Sequence, residues 1–504
     1  MNHQLANIAL ITNSQVRFLL VAIARKLKTS YGSRIHLFCK SPQEVSEYSG
    51  ISSDGLFDSI TNMEVMRLAV RGSIPPEADI IAKARHYEAR LGITYNTLAV
   101  GDRHFGRGYS HAGSGHPRSK ASEESTYLQM LHGYNAVFDF WEREIAEKHV
   151  SLFLGANKEA ALVARLHGIP LRSLFRSRYK SYHYWTPNEY RENLDLERAY
   201  RLIQQPSQPK IVLKETYADE KQRRQRFLQA LTLRRLAEGM GYELARQTYW
   251  RLRGYEKARG YYLRDKIALH WRRWRDLRRM TGPSMAALRD LEHRSFVFYP
   301  LHTEPEVALG VMSPEFFFQL TAISALSRDL PAGMILAVKE SITGAGRRPA
   351  GFYDQILAHK NVVMLDVLEE GHEIVKKAAA VATITGTAGF EAAVQGVPVL
   401  SFGRHNNYNF LPHVKVVTDL GRLHEQVADV ISPQFDRAQA ERDGARFLGA
   451  VVATSFDMEG YDYYHLDRFS EQAVENACRA LVNSLTDAVG IADAPVYDRR
   501  IPSC

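Results

Sequence analysis

The stretch TITGTAGFEAAVQGVPVLSFG, residues 383–403, decides how the fold is read. AVATIT (380–385) is apolar and β-branched and reads as a strand. The strand stops at Gly386-Thr387-Ala388-Gly389, and an Ala-rich helix follows over 388–395. Gly396-Val397-Pro398 then leads into a second apolar run, VPVLSFG (397–403). Strand, helix, strand in this order is the unit of a parallel sheet. Small residues at such a turn let an anion approach the N–H groups at a helix N-terminus, where the helix dipole also favours it. The turn is neither a Walker A loop nor a GxGxxG fingerprint. With Thr387 as N-cap, a capping-box partner falls at Phe390. Glu391 then lies one residue beyond, free to accept hydrogen bonds from a diol such as a ribose; a solvated glutamate on a plain helix start is the alternative.

The same alternation extends in both directions. Upstream are FVFYPL (296–301), ILAVKE (335–340) and VVMLDV (362–367). Helical patterns separate them over 314–326, 351–359 and 371–379. The N-terminal half repeats the theme. NIALIT (7–12) is followed by a helix through about Lys28, then come IHLFCK (35–40), YNTLAV (95–100), SLFLGA (151–156) and the strand 169–174. Between 216 and 291 the strand signals vanish and long helical runs take over. The expected fold class is therefore α/β. It divides into a doubly wound domain 1–205, a basic helical insertion 206–292, a second doubly wound domain 293–425, and C-terminal helices with a tail, 426–504. Two such domains put a ligand cleft between them, and ligands sit beyond the carboxyl ends of parallel strands.

That rule selects three further loops. His302-Thr303-Glu304-Pro305-Glu306 follows strand 296–301 and offers an imidazole and two carboxylates on a proline-stiffened loop. Lys339-Glu340-Ser341-Ile342 closes the next strand with a lysine that can meet a phosphate. LAVGDRHFGRGYSHAGSGH (98–116) is rich in glycine and histidine and follows the expected strand 95–100.

Bulk properties narrow the class. The 504 residues are 45% hydrophobic and 24% charged, as in an ordinary globular protein. No apolar run approaches the roughly 18 residues needed to span a bilayer, and the N-terminus lacks the pattern of a signal peptide. Cys39, Cys478 and Cys504 form neither a disulfide framework nor a zinc site, which fits a reducing cytoplasm. The net charge of +9 is concentrated. Residues 220–280 hold 18 Lys and Arg against 6 Asp and Glu, so that segment carries +12 and the remainder −3. Its Arg is interleaved with Tyr and with Trp250, Trp271 and Trp274, a pattern suited to an anionic surface. A solvated helical hairpin is the plainer explanation. Nucleic acid fits the charge equally well but leaves two α/β domains unexplained, so none is expected.

PLHTEPE, AVKES and TITGTAGFEAAVQGVPVLSFG, in this order, resemble the capsule polysaccharide biosynthesis family, mainly over 295–405. That family includes Kdo transferases and is similar to the GT-B glycosyltransferases, with two Rossmann-like domains facing a cleft. The resemblance implies an inverting, metal-independent glycosyltransferase with no cofactor. It would move a sugar from a nucleotide-sugar donor, in related enzymes CMP-linked, to a surface polysaccharide or its lipid-linked acceptor. Gly386, Thr387 and Gly389 would cradle the donor phosphate and Glu391 would take the ribose, with His302 and Glu306 in the same pocket. A base is needed on the acceptor side: Asp102, with His104 second, while Arg103 would hold an acidic sugar or orient Asp102. The family usually reads Lys-Glu-His-Pro where this chain has Lys339-Glu340-Ser341-Ile342. His302, Lys339 or Ser341 would then hold the departing phosphate in place of the missing histidine. A teichoic-acid-type polyol-phosphate transferase and a non-catalytic scaffold of a polysaccharide assembly complex are the rival readings. A lipid-linked acceptor also implies a cytoplasmic protein held at the inner membrane surface through 220–280.

Overall fold

The computed structural model describes residues 3–486, except 14–15, 52–54, 101, 103–124, 156, 204–224, 226, 230, 254–261, 282–284, 304–306, 343 and 462–466. Among these described residues thirteen strands form two sheets. The first contains β1 (Asn7–Ile11), β2 (Arg34–Cys39), β3 (Ser59–Asn62), β4 (Leu152–Leu154), β5 (Leu171–Arg176), β6 (Tyr182–Thr186) and β13 (Phe456–Asp457). The second contains β7 (Phe296–Pro300), β8 (Ile335–Lys339), β9 (Val362–Leu365), β10 (Ala380–Thr383), β11 (Val399–Ser401) and β12 (Val414–Val416).

The spatial order is β12-β11-β10-β7-β8-β9 in the second sheet, with every pair parallel. Counted within the domain this is 3-2-1-4-5-6 read from one edge, the doubly wound order. The chain reverses direction across the sheet between β7 and β10. In the first sheet β3-β2-β1-β4-β5 follows the same scheme, with its reversal between β1 and β4. There β6 and β13 add an antiparallel edge. The GT-B-like pair of Rossmann-like domains is thus present in full.

Why these runs are strands follows from their burial. Along β7, Phe296 and Phe298 enter one core cluster while Val297 and Tyr299 enter the cluster on the opposite face. Along β1, Ala9 and Ile11 go one way and Ile8 and Leu10 the other. A strand covered on both faces must be apolar at every position, so its sequence shows a continuous run rather than alternation.

One strand assignment is corrected. YNTLAV is not a strand: Tyr95–Val100 is a short helix. Thr94 Oγ1 accepts the Thr97 N–H (3.1 Å), as an N-cap does. The buried residues Tyr95, Leu98 and Ala99 recur at i, i+3 and i+4, the helical period.

The basic segment forms two helices, Leu233–Leu252 and Leu263–Arg279, packed against each other. Leu277, Met280 and Phe227 are buried in the core of the second domain and anchor the hairpin there. The remaining elements tie the domains together. Helix Leu196–Leu202 lies on helix Arg437–Ala453, with Tyr200 Oη donating to Asp443 Oδ1 (2.8 Å). The last helix, Glu471–Thr486, returns to the first domain, where Ala473, Ala477, Cys478 and Leu481 pack with the strand residues Leu10 and Leu37. Trp185 Nε1 donates to the Ala477 carbonyl across this contact (2.9 Å).

Candidate functional site

At the reversal point of the second sheet, the loops after β7 and β10 lie side by side and are bonded to each other. His302 follows β7 and is 8% exposed. Its Nε2 accepts the backbone N–H of Thr385 (3.0 Å), with the Thr383 hydroxyl also in reach at 3.3 Å. Its Nδ1 lies 3.2 Å from Gln319 Oε1. That oxygen also accepts the His302 backbone N–H (2.7 Å), while Gln319 Nε2 donates to the His302 carbonyl (2.9 Å). This pattern requires the tautomer protonated on Nδ1. Burial, opposed by the Gln319 hydrogen bond and helped by the nearby Arg348 and Arg178 charges, pushes the imidazole down to about 4, so His302 is neutral at physiological pH. The residue expected among the catalytic groups is thus placed as a brace: both ring nitrogens are engaged by protein groups that hold the turn.

A second brace lies beneath it. Glu340 and Arg348 form a fully buried bidentate pair (Nε–Oε2 2.7 Å, Nη2–Oε1 2.8 Å), and Tyr353 Oη donates to Glu340 Oε2 (2.8 Å). Arg348 Nη2 also donates to the His302 carbonyl (2.7 Å). Ser341 belongs to this layer: its Oγ accepts the Gly344 N–H (2.9 Å) and lies 3.3 Å from Thr303 Oγ1. Lys339 ends β8 opposite Pro300 and is half-buried.

On this double brace sits the turn. Gly386, not Thr387, is the N-cap of helix Thr387–Val394, and no side chain caps that end. The Gly386 N–H is taken by Thr383 Oγ1 (3.0 Å). Glycine is needed at 386 because a Cβ there would sit 2.8 Å from Thr383 Oγ1 and 3.2 Å from His302 Nε2. At 389 a Cβ would overlap the Tyr408 hydroxyl. Gly389 therefore serves close packing of Tyr408 against the helix. Glu391 lies in the middle of the helix, buried at 8% exposure.

The first domain reaches this turn through Arg178, which sequence reasoning did not single out. It stands between β5 and β6, with φ at +69°. Its Nη1 donates to the Gly386 carbonyl and its Nη2 to the Thr385 carbonyl, both at 2.9 Å. Residues further along the same chain segment hold the loop after β11. Glu192 Oε1 lies 2.8 Å from His405 Nδ1, and the Asn193 N–H donates to Asn407 Oδ1 (2.9 Å).

The reversal point of the first sheet carries charge instead. Asp102 follows helix Tyr95–Val100, its carboxylate 3.8 Å from Lys158 Nζ. Lys158 opens the helix after β4 and also donates to the Leu98 carbonyl. Beside it Glu159 Oε1 lies 3.7 Å from the same ammonium and is 7% exposed. Burial raises the Glu159 carboxyl above the usual range; Lys158 opposes this and Asp102 adds to it. Val100, two residues before Asp102, packs against the core of the second domain. Lys158 and Glu159 went unnoticed in the sequence; the signal that could have found them is their place just after β4. Arg103, His104 and Glu306 lie outside the described residues.

Residues 194–412 match the family described as capsule polysaccharide biosynthesis protein. No curated protein matches the chain. Among solved structures it is similar to a putative UDP-N-acetylglucosamine 2-epimerase from Listeria monocytogenes, with 10% identity, 96% of this chain and 97% of that chain covered, and a TM-score of 0.27. It is also similar to the UDP-GlcNAc 2-epimerase from Neisseria meningitidis bound to UDP-GlcNAc, at 10%, 95%, 99% and 0.29 in the same order. For KpsC, beta Kdo 2,4 transferase, from Thermosulfurimonas dismutans the values are 13%, 59%, 79% and 0.27. Scores at this level assign no role to any residue. The motifs PLHTEPE, AVKES and TITGTAGFEAAVQGVPVLSFG all fall inside the segment, residues 194–412, that is similar to the capsule polysaccharide biosynthesis protein family.

Proposed function

We propose that the protein is a glycosyltransferase of capsule synthesis. It would take a sugar from a nucleotide-sugar donor bound at the turn after β10 and pass it to a surface polysaccharide or its lipid-linked acceptor. The observation that carries this reading is the uncapped start of helix Thr387–Val394 at the reversal point of a doubly wound sheet, held by His302 from below and Arg178 from the side. Its free N–H groups and dipole suit a phosphate. Arg178, already bonded to the Gly386 carbonyl, is the cation best placed to take over from the histidine that Ser341 replaces. Glu391 is assigned to the ribose and Lys339 to the phosphate. Asp102 is the base, with Glu159 on the other side of Lys158, its carboxyl raised above the usual range by burial. An inverting transfer without metal or cofactor needs only these parts: a base on the acceptor and donors on the departing phosphate.

A calorimetric titration against CMP, CDP, UDP and GDP tests the reading. Binding of one of them, lost in a folded Glu391→Ala variant, supports a transferase. Selective binding of CDP together with polyol-phosphate transfer moves the assignment to the teichoic-acid type. Absence of binding to all four moves it to the scaffold. Activity that survives Asp102→Ala removes Asp102 from the base position.

The helical hairpin supplies the membrane contact in this proposal. Among the described residues no helix is long and apolar enough to cross a membrane. Yet Leu233, Tyr242, Leu244, Tyr249, Leu252 and Trp271 are all exposed on the hairpin, Leu252 at 83%. Arginines surround them, and Arg246 lies over the Trp250 ring (4.8 Å). Exposed aromatics among cations suit an anionic lipid surface. Co-sedimentation with phosphatidylglycerol vesicles, reduced in Trp271→Ala/Leu252→Ser, is the expected result; equal pelleting with neutral and anionic vesicles counts against it.

A further inference from the structure

The tip between β5 and β6 bridges the first domain to the turn after β10. Arg178 and Lys180 both lie in this tip with positive φ, +69° and +45°. A residue with a side chain keeps left-handed backbone only where its surroundings impose it. Local bonds close the tip: the Ser177 N–H donates to the Tyr182 carbonyl (2.9 Å) and the Tyr182 N–H to the Tyr179 carbonyl (3.1 Å). The Tyr179 ring lies 6.0 Å from the Tyr182 ring and packs against the core of the second domain. That contact seats the tip. From it Arg178 reaches the carbonyls of Thr385 and Gly386, each at 2.9 Å.

Three successive peptide planes make up the turn, and each is held by a side chain. In the first, the Thr385 N–H is taken by His302 Nε2 (3.0 Å). The second is held at both ends, its Thr385 carbonyl by Arg178 and its Gly386 N–H by Thr383 Oγ1 (3.0 Å). In the third, Arg178 holds the Gly386 carbonyl. The carbonyl and N–H of a trans peptide point in opposite directions. Fixing the Gly386 carbonyl therefore aims the Thr387 N–H, the first of the helix, away from Arg178 and out of the helix start. Of these three side chains, His302 and Thr383 belong to the second domain and Arg178 to the first.

We propose that Arg178 is a positioning residue. Its fork across the Thr385 and Gly386 carbonyls sets the direction of the N–H groups that open helix Thr387–Val394, so the phosphate end of the donor site is complete only while the two domains are docked. This rests on the reading that a phosphate sits at the turn, and it is a different role from supplying positive charge. Two of the five N–H groups of the guanidinium are committed to the carbonyls. A lysine keeps the charge but offers one ammonium in place of the planar fork, so the two roles separate in that substitution.

The test compares the full chain with Arg178→Lys. Hydrogen exchange, followed by mass spectrometry without nucleotide in a peptide over 383–389, reads the hydrogen-bonded amides of Thr385 and Gly386. They are expected to exchange about tenfold faster in the variant, as the loss of the bonds that pin their planes implies. In calorimetry, the nucleotide among CMP, CDP, UDP and GDP that binds the parent is expected to bind Arg178→Lys about tenfold more weakly. Unchanged exchange at the turn overturns the proposal. So does parent-like nucleotide affinity in Arg178→Lys, which leaves charge as the role of the residue. If that variant does not fold, Tyr179→Ala, which keeps the guanidinium and removes the ring that seats it, takes its place, and unchanged exchange there overturns the proposal. If none of the four nucleotides binds the parent, the transferase reading fails by itself, and the exchange rates alone decide whether Arg178 orders the turn.

Discussion

The two domains share one strand order and differ at the point where it reverses. In the second domain the reversal is neutral and stitched: a histidine without charge, a glutamine, a buried ion pair and a glycine turn fix backbone groups in place. In the first domain the reversal holds Asp102, Lys158 and Glu159, groups that can exchange protons. One scaffold thus presents fixed dipoles on one side of a cleft and titratable groups on the other. Fixed dipoles bind an anion without reorganising, and titratable groups move protons. The difference lies in the side chains around the reversal, since the five parallel strands that flank it follow the same order in both sheets.

The contrast can be broken most severely at the buried pair. Arg348→Ala leaves the Glu340 carboxylate uncompensated and removes a bond to the His302 carbonyl. Denaturant unfolding should show a loss of about 3–5 kcal/mol. The next largest effect is one of pH. The folded state holds the His302 imidazole at about 4, below its ordinary value of 6.5, so the unfolded chain takes up the proton first. Its contribution is complete above pH 6.5 and is lost as the pH falls towards 4, by about 3 kcal/mol. His183, also pushed down to about 4 by burial, adds to the wild-type slope. His302→Asn should therefore be less stable at pH 7.5 and flatter between 6.5 and 4 than the parent; an unchanged slope would sink the neutral-brace assignment.

Gly389→Ala drives a methyl group into the Tyr408 hydroxyl. A loss of about 1–3 kcal/mol is expected in thermal or denaturant melts, as for other overpacked sites. The smallest effect sharpens the contrast from the other side. The raised Glu159 carboxyl holds its proton longer in the folded state, so stability is full at low pH and declines as pH rises above the ordinary glutamate range. Glu159→Gln removes that decline and should change stability at neutral pH by less than about 1 kcal/mol. A steeper decline in the variant would show that burial does not dominate at this carboxyl.

The second domain was largely legible because its strands are buried on both faces and read as continuous runs, from FVFYP to VLS. Its turn was legible because glycines at 386 and 389 stand where a Cβ has no room. The first domain was harder. YNTLAV has strand-like composition, and only the position of Thr94 and the i, i+3, i+4 spacing mark it as a helix. β6 (YHYWT) pairs with the neighbouring β5, but its other partners, Phe456 and Asp457, lie far along the chain, a pairing that local pattern does not reveal. Arg178 was invisible for the same reason: its role comes from a contact between domains.

The helix Glu471–Thr486 has a consequence for how the molecule is made. Cys478 and Leu481 fill the same cluster as Leu10 and Leu37, so the first domain lacks part of its interior until nearly 480 residues have been synthesised. Domains emerging from the ribosome generally fold as units from the N-terminus. Here the second domain is the first that can close on its own contacts, and the domain that begins the chain finishes last. A nascent chain arrested before residue 471 should expose apolar surface on the first domain and depend on a chaperone until release.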